Sequence, residues 1–247
     1  MHFFFSDAHL GLGSREQSRE RERHVVRFLE YVGGQDPETL WIVGDLFDYW
    51  FEYRMVIPRE FVRTLGAIAA LTDAGISVQY VIGNHDFGHK NFFRDELGVQ
   101  VHPDDVERTL SGKRVLVAHG DGKALNDTGY LILKKVLRAR TSNALWRWLH
   151  PDIGIGVAAG ASRKSRDHTT KKNYGDERPG EVDGLQLFAQ QKIEKEGCDL
   201  VVMGHTHKPA MVDFDGGKYV NLGNWMGTRR TYLTLNADGI AQLQTFE

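Results

Sequence analysis

Short apolar runs, separated by polar and glycine-containing breaks, set the rhythm of this chain. HFFF (2–5), TLWIVG (39–44), VQYVIG (78–83), RVLVAH (114–119) and DLVVMG (199–204) are continuous rather than alternating. Runs of this kind are expected of strands buried on both faces, in a sheet with helices packed outside it. Between them the period becomes helical. Residues 15–33, REQSRERERHVVRFLEYVG, carry Val26, Phe28, Leu29 and Val32 at helical spacing and stop at Gly33. Residues 57–75 have Pro58 near their start and Gly75 at their end, the usual asymmetry of helix signals, and 183–197 read as a third helix. Strands alternating with helices predict an α/β architecture.

After residue 205 the plan changes. Residues 210–223 read as two short strands around Gly216–Gly217, and 232–246 as two more around Asn236–Gly239. Residues 125–182 also break the alternation, with two short helical patterns joined by Ser- and Gly-containing loops. They are expected to form a helical insertion, or cap, within a single domain spanning 1–247.

Composition changes this picture little. Apolar residues make up 41% of 247 residues and charged residues 26%, ordinary for a chain with a real core. A formal net charge of -2 gives no global case for a nucleic acid partner. The lone Cys198 excludes an internal disulfide and suits a reducing compartment. The opening MHFFFSDAHLG lacks a basic region and a cleavage site, so it reads as a first strand and not a signal peptide. No apolar run approaches the roughly 18 to 20 residues of a membrane span. The expectation is a cytoplasmic protein without a transmembrane segment.

The chemistry lies where the strands end. The first runs into Asp7-Ala8-His9, the second into Gly44-Asp45-Leu46-Phe47-Asp48 and the third into Gly83-Asn84-His85-Asp86. The fourth ends in His119-Gly120-Asp121 and the fifth in Gly204-His205-Thr206-His207. Each motif alone has an ordinary explanation as a turn or a polar strand end. Five in series do not, because carboxyl ends of strands in α/β sheets are where ligands bind. Convergence would gather Asp7, His9, Asp45, Asn84, His119, His205 and His207. A thiolate-free set of carboxylate, amide and imidazole suits Mn, Fe, Zn or Ni. Seven donors are too many for one tetrahedral ion and fit two ions sharing a bridge, with Asp45 as the bridging carboxylate. Two ions roughly 3.5 to 4 Å apart can clamp a phosphoryl group in line. His85 would serve as acid toward the leaving oxygen or stabilise phosphoryl charge, with Asp86 orienting it. His24, His89, His102, His150 and His168 read as surface or loop histidines, His2 as packing beside the first strand, and Cys198 as a small core residue.

This series of motifs resembles the calcineurin-like metallophosphoesterase superfamily over nearly the whole chain. The resemblance implies a four-layer α/β/β/α sandwich with a dinuclear site at the strand ends. It assigns Asp7, His9, Asp45 and His207 to one ion and Asp45, Asn84, His119 and His205 to the other. Within the superfamily, GDLFDYWFE (44–52), HGDGKALNDTGY (119–130), the helical insertion, GHTHKPA (204–210) and NLGNW (221–225) are most similar to the UDP-2,3-diacylglucosamine pyrophosphatases of lipid A synthesis. That family releases UMP and a diacylglucosamine 1-phosphate, usually with Mn2+. The resemblance implies that Asp127 contacts the sugar. Arg163, Ser165 and Arg166 of SRKSR are expected to hold the substrate phosphates because Arg and Ser suit phosphate oxygens, their match to the family's own substrate residues being loose. The best-known branch has Arg where this chain has His85.

Residues 131–172 hold ten Lys or Arg against two Asp, together with Trp146, Trp148 and several leucines. A basic amphipathic segment with tryptophan can lie on an anionic bilayer, here the cytoplasmic face of the inner membrane, or line a groove for acyl chains. An ordinary alternative is an apolar stripe packed on the body with a solvated basic face. Three functions stay open on the residues: the lipid pyrophosphatase, another metallophosphoesterase acting on nucleotides or phosphoproteins, and a non-catalytic module attached to membrane or nucleic acid. The third should have lost ligands, and this chain keeps every one.

Overall fold

All five apolar runs are strands, and they divide between two sheets. The computed structural model describes residues 1–123, 145–151, 153–154, 156–157, 160 and 181–247. In the first sheet β1 (His2–Phe5), β2 (Thr39–Val43), β3 (Ser77–Val81) and β4 (Gln100–His102) run parallel. The second contains β5 (Val106–Leu110), β6 (Lys113–Val117), β7 (Leu200–Met203), β8 (Ala210–Phe214) and β9 (Gly217–Asn221), in the order β5-β6-β7-β9-β8. Strands β6, β7 and β9 are parallel, with β5 and β8 antiparallel at the edges. The last hairpin, β10 (Arg230–Leu235) and β11 (Ala241–Phe246), returns to the first sheet, where β10 pairs antiparallel with β1.

Alternation within each strand explains why the runs read as continuous. Phe3 and Phe5 face α1 (Arg15–Gly33) and α2 (Val62–Asp73), in a cluster with Val25, Phe28, Leu29, Val32, Leu65 and Ile68. Phe4, between them, faces the second sheet and packs with Trp41, Val117, Val202, Val220 and Leu233. The outer face of the second sheet, Leu116, Val201 and Met203, meets Leu185, Ala189 and Ile193 of α4 (Glu181–Glu194). A short α3 (Phe92–Asp95) precedes β4. Three apolar seams therefore join helix, sheet, sheet and helix, the expected α/β sandwich.

Several boundaries differ from expectation for local reasons. Pro58 precedes a 3-10 turn at Arg59–Phe61, so α2 proper begins at Val62. The buried face of α1 includes Val25 rather than Val26. Its start is a capping box, in which Ser14 Oγ accepts from Gln17 N at 3.2 Å and Gln17 Oε1 accepts from Ser14 N at 2.9 Å. Strand β5 has no apolar run because, as an edge strand, it buries only Val106 and Leu110. His102 is not a surface histidine: it is buried in β4, stacked on Trp41 and bonded to Gln79 at 2.8 Å. His2 and Cys198 are buried as expected. No described helix is long and apolar enough to cross a membrane. Most of the insertion expected over 125–182 lies outside the described residues.

Phe28 is fully buried, with the rings of Phe5, Trp225, Tyr232 and Phe246 centred 4.8–5.3 Å from its own. Phe28→Ala is expected to lower stability by about 3–5 kcal/mol, read as a lower urea midpoint with unchanged slope.

Candidate metal centre

The parallel strands point their carboxyl ends the same way, and the main chain ties those ends together. Asp7 N donates to Gly44 O at 3.1 Å and His9 N to Asp45 O at 3.0 Å, joining the ends of β1 and β2. Gly204 N donates to His119 O at 3.0 Å, joining β6 and β7. Trp225 N, beyond β9, donates to Asp7 O at 3.0 Å and so bridges the two sheets. Backbone conformation here is unusual. Seven described non-glycine residues have positive φ, and five of them are Asp7, His9, Asp45, His205 and His207. Each such residue costs on the order of 1–3 kcal/mol and persists only where its surroundings over-determine it.

All seven residues singled out as donors come together. Asp7, His9 and His207 form one group: His9 Nε2 lies 3.1 Å from His207 Nε2, and Asp7 Oδ1 is 3.3 Å from His207 Nε2 and 3.7 Å from His9 Nε2. Asn84, His119 and His205 form a second, with Asn84 Oδ1 at 3.1 Å from His119 Nε2 and 3.0 Å from His205 Nδ1. Asp45 stands between them, its Oδ2 at 3.7 Å from His9 Nε2 and 3.3 Å from His119 Nε2.

Separations of 3.0–3.7 Å between donors suit atoms that share an ion at bonds of about 2.1 Å. Asp7 Oδ1 is buried without a hydrogen bond, an acceptor still available to a cation. Second contacts turn the rings the right way. His119 Nδ1 faces Val43 O at 3.0 Å, which leaves Nε2 toward the cluster, and His9 Nδ1 faces Asp48 Oδ1 at 3.5 Å. Burial alone would push the Asp7 and Asp45 carboxyls up, but the surrounding histidines hold both well below the usual carboxylate range. Burial would likewise lower His119, yet Asp45 beside it holds it well above its ordinary value. The residues fit divalent cations.

A family model described as Calcineurin-like phosphoesterase matches residues 3–209. The chain belongs to that family. It is a metal-dependent phosphoester hydrolase, and membership implies divalent metal ions. It is 32% identical to the UDP-2,3-diacylglucosamine hydrolase of Porphyromonas gingivalis over 241 residues, covering 91% of this chain and 90% of that one. It is 30% identical to the protein of that name from Aeromonas salmonicida, covering 90% and 85%. To the Haemophilus ducreyi protein it is 27% identical, covering 96% and 97%.

Asp86 occupies a different place from the one expected. Its oxygens accept from Gly83 N at 2.8 Å, Leu46 N at 3.0 Å and Tyr80 OH at 2.5 Å, so it ties the ends of β2 and β3 together from beneath. The group facing His85 Nδ1 is instead Asp48, through its carbonyl at 3.1 Å and Oδ1 at 3.7 Å. The second carboxylate of GDLFD was the available signal for that pairing. Asp127, Arg163, Ser165 and Arg166 lie outside the described residues.

Glu52 is a further support that sequence reading missed. Buried beside the site, its Oε2 accepts from Lys90, Asn91 and Phe92 N at 2.8, 2.8 and 3.0 Å, gathering the start of α3. His89, expected at the surface, has a buried side chain 3.6 Å from Glu52 Oε1 and packs on Trp50, Tyr80 and Phe93. Burial pushes the Glu52 carboxyl up, but His89 and the N–H donors of Phe92 and Trp50 outweigh it and lower the pKa from 4.5 to about 2.

A depressed carboxyl stabilises the fold fully above its unfolded pKa and loses that contribution as pH falls through its folded one. Glu52→Gln is therefore expected to cost about 2–3 kcal/mol near neutral pH. The gap to wild type should close as pH drops from 4.5 toward about 2, followed by urea titration at each pH. A second outcome concerns Gly83, where a Cβ would overlap Asp45 Oδ1 and stand 2.6 Å from Asp45 N. Gly83→Ala is expected to lower metal affinity roughly a hundredfold while far-UV circular dichroism is unchanged.

Proposed function

We propose that the chain hydrolyses the pyrophosphate of UDP-2,3-diacylglucosamine, giving UMP and 2,3-diacylglucosamine 1-phosphate, with two divalent ions of which Mn2+ is the first choice. The observation that carries the chemistry is the pair of donor groups meeting at Asp45. The names of the relatives, at 27–32% identity over nine-tenths or more of this chain, support the substrate.

In this reading Asp7, His9, Asp45 and His207 hold one ion, and Asp45, Asn84, His119 and His205 the other. When bound, the ions supply Lewis acidity to the phosphoryl group and lower the pKa of an attacking water. The chain does the rest. Asp45 keeps one oxygen toward both groups because His85 N donates to its other oxygen at 2.9 Å. The His85 ring lies edge-on to His9 at 4.9 Å and is faced by Asp48, which supports a role in giving a proton to the leaving phosphate or holding its charge. Asp86 acts one step behind, by fixing the loops that carry Asp45 and Asn84.

Residues 125–182 are read as a cap inserted in a single domain. Its described part supports an apolar partner: Trp148 is 90% exposed, Leu145 73% and Ile153 57%, with Met55 of the adjoining body at 87%. Such a surface suits acyl chains or the face of a bilayer, whereas a small polar substrate gains nothing from it. Asp127, Arg163, Ser165 and Arg166 are assigned to the sugar and phosphates of the substrate.

UMP release from UDP-2,3-diacylglucosamine with Mn2+ tests the proposal, beside deacylated UDP-glucosamine and an aryl phosphodiester. Turnover of the acylated substrate alone is expected, with Asp45→Ala slower by roughly a thousandfold or more, about 4 kcal/mol in the barrier. Turnover of the aryl ester with none of the lipid would overturn the substrate and keep the two-ion chemistry.

A further inference from the structure

Within the first donor group, His9 and His207 approach each other most closely, Nε2 to Nε2 at 3.1 Å, and both have positive φ, +45° and +60°. Side-chain contacts alone do not set such a pair, because the main chain of each residue must be held in a conformation it rarely adopts. The carbonyl of each accepts from one polar side chain of a different layer. Arg21, on α1 outside the first sheet, donates from Nη1 to His9 O at 2.7 Å and more distantly to Leu12 O at 3.4 Å. Asn224, just beyond β9 of the second sheet, donates from Nδ2 to His207 O at 2.8 Å. Its own Oδ1 accepts from Met226 N at 2.9 Å, which fixes the direction of the amide. The second donor group is oriented differently, through the ring of His119 on Val43 O.

We infer that Arg21 and Asn224 are positioning residues that set the affinity of the ion site formed by Asp7, His9 and His207, by pinning the carbonyls of its two histidines from opposite sheets. The inference rests on the two-ion reading above. His9 keeps its N–H on Asp45 O, and its carbonyl also accepts from Leu12 N at 3.1 Å. Removing a pin thus loosens one histidine rather than releasing it, which widens the His9–His207 separation while Asn84, His119 and His205 keep their own contacts. The loss is therefore confined to one of the two ions.

The test is a titration of Mn2+ into the metal-stripped full chain, with free ion counted by electron paramagnetic resonance and the melting temperature of each metal-free protein recorded. Wild type is expected to bind two ions and show the exchange-coupled signal of a pair. Arg21→Ala and Asn224→Ala should each keep one tight ion, bind the other roughly 10- to 100-fold more weakly, and show the signal of an isolated ion. Their metal-free melting should stay close to wild type. Arg21→Lys, which keeps a donor, should recover part of the lost affinity. Asn224→Asp keeps the acceptor but loses the donor, and should behave as Asn224→Ala. Arg23→Ala, an exposed change on the same helix, should bind as wild type. Two ions held at wild-type affinity in Arg21→Ala and Asn224→Ala would overturn the inference, as would equal loss of both ions with a collapsed melting temperature. A wild-type chain that binds fewer than two ions would instead overturn the two-ion reading itself, a result visible before any variant is measured.

Discussion

Asp45 sits where a side chain at residue 83 would otherwise be: a Cβ on Gly83 would overlap its carboxylate, and one on Gly44 would run into the ring of His119. The two glycines let the ends of β2 and β3 close to within contact of each other. Only in that space can one carboxylate face His9 on one side and His119 on the other. Asp45 itself has positive φ, a conformation that its place between tied strand ends enforces. The remaining donors are arranged around this fit. His85 N is taken by Asp45 from the neighbouring loop and Gly83 N by Asp86 of the same turn, so the turn is tied both within itself and to the end of β2.

A cluster of this kind is expensive to bury. Two carboxylates and several imidazoles without water would destabilise the chain if each were not matched by a donor, an acceptor or a cation. The apolar seams on either side of the two sheets offset that cost, and they do so asymmetrically. The aromatic seam under β1, built on Phe5, Phe28, Trp225 and Tyr232, lies directly beneath the residues that carry Asp7 and His9. Trp225 belongs to that seam and also donates its backbone N–H to Asp7 O, so packing and site geometry share one residue.

The loop after β2 has a second duty. It carries Asp45 and Asp48 into the centre and ends at Phe51 and Glu52, where it meets the described part of the insertion. Arg147 stacks on Phe51 with its guanidinium carbon 5.0 Å from the ring centre, and its Nε donates to Glu52 O at 2.9 Å. Glu52 in turn gathers the start of α3. Arg147 is thus linked through Glu52 to the start of α3 by a few short hydrogen bonds to main-chain groups.

Much of this was legible in residue order. Strands buried on both faces are continuous apolar runs, and donors that close parallel strands recur at run ends, so β1, β2, β3, β6 and β7 and the seven donors stood out. Period alone could not divide the strands between two sheets, because Phe3, Phe4 and Phe5 are equally apolar whichever layer each one faces. Nor could it find β5, an edge strand that buries only its two ends. The carboxylates were the hardest to rank. Asp48 and Asp86 stand three and two residues from donors and look alike in sequence, yet Asp48 faces His85 whereas Asp86 binds Gly83, Leu46 and Tyr80 beneath it. Glu52 and Asn224 lie in the stretches GDLFDYWFE and NLGNW and Arg21 in none, but the role of each was hidden in the sequence, since each acts on main chain brought close by folding. The sequence by itself determined the ligand types and the strands that carry them, because those depend on hydrophobic period and on the chemistry of single side chains. Only tertiary structure decided which carboxylate faces which histidine, because that depends on distances between segments with no fixed relation along the chain.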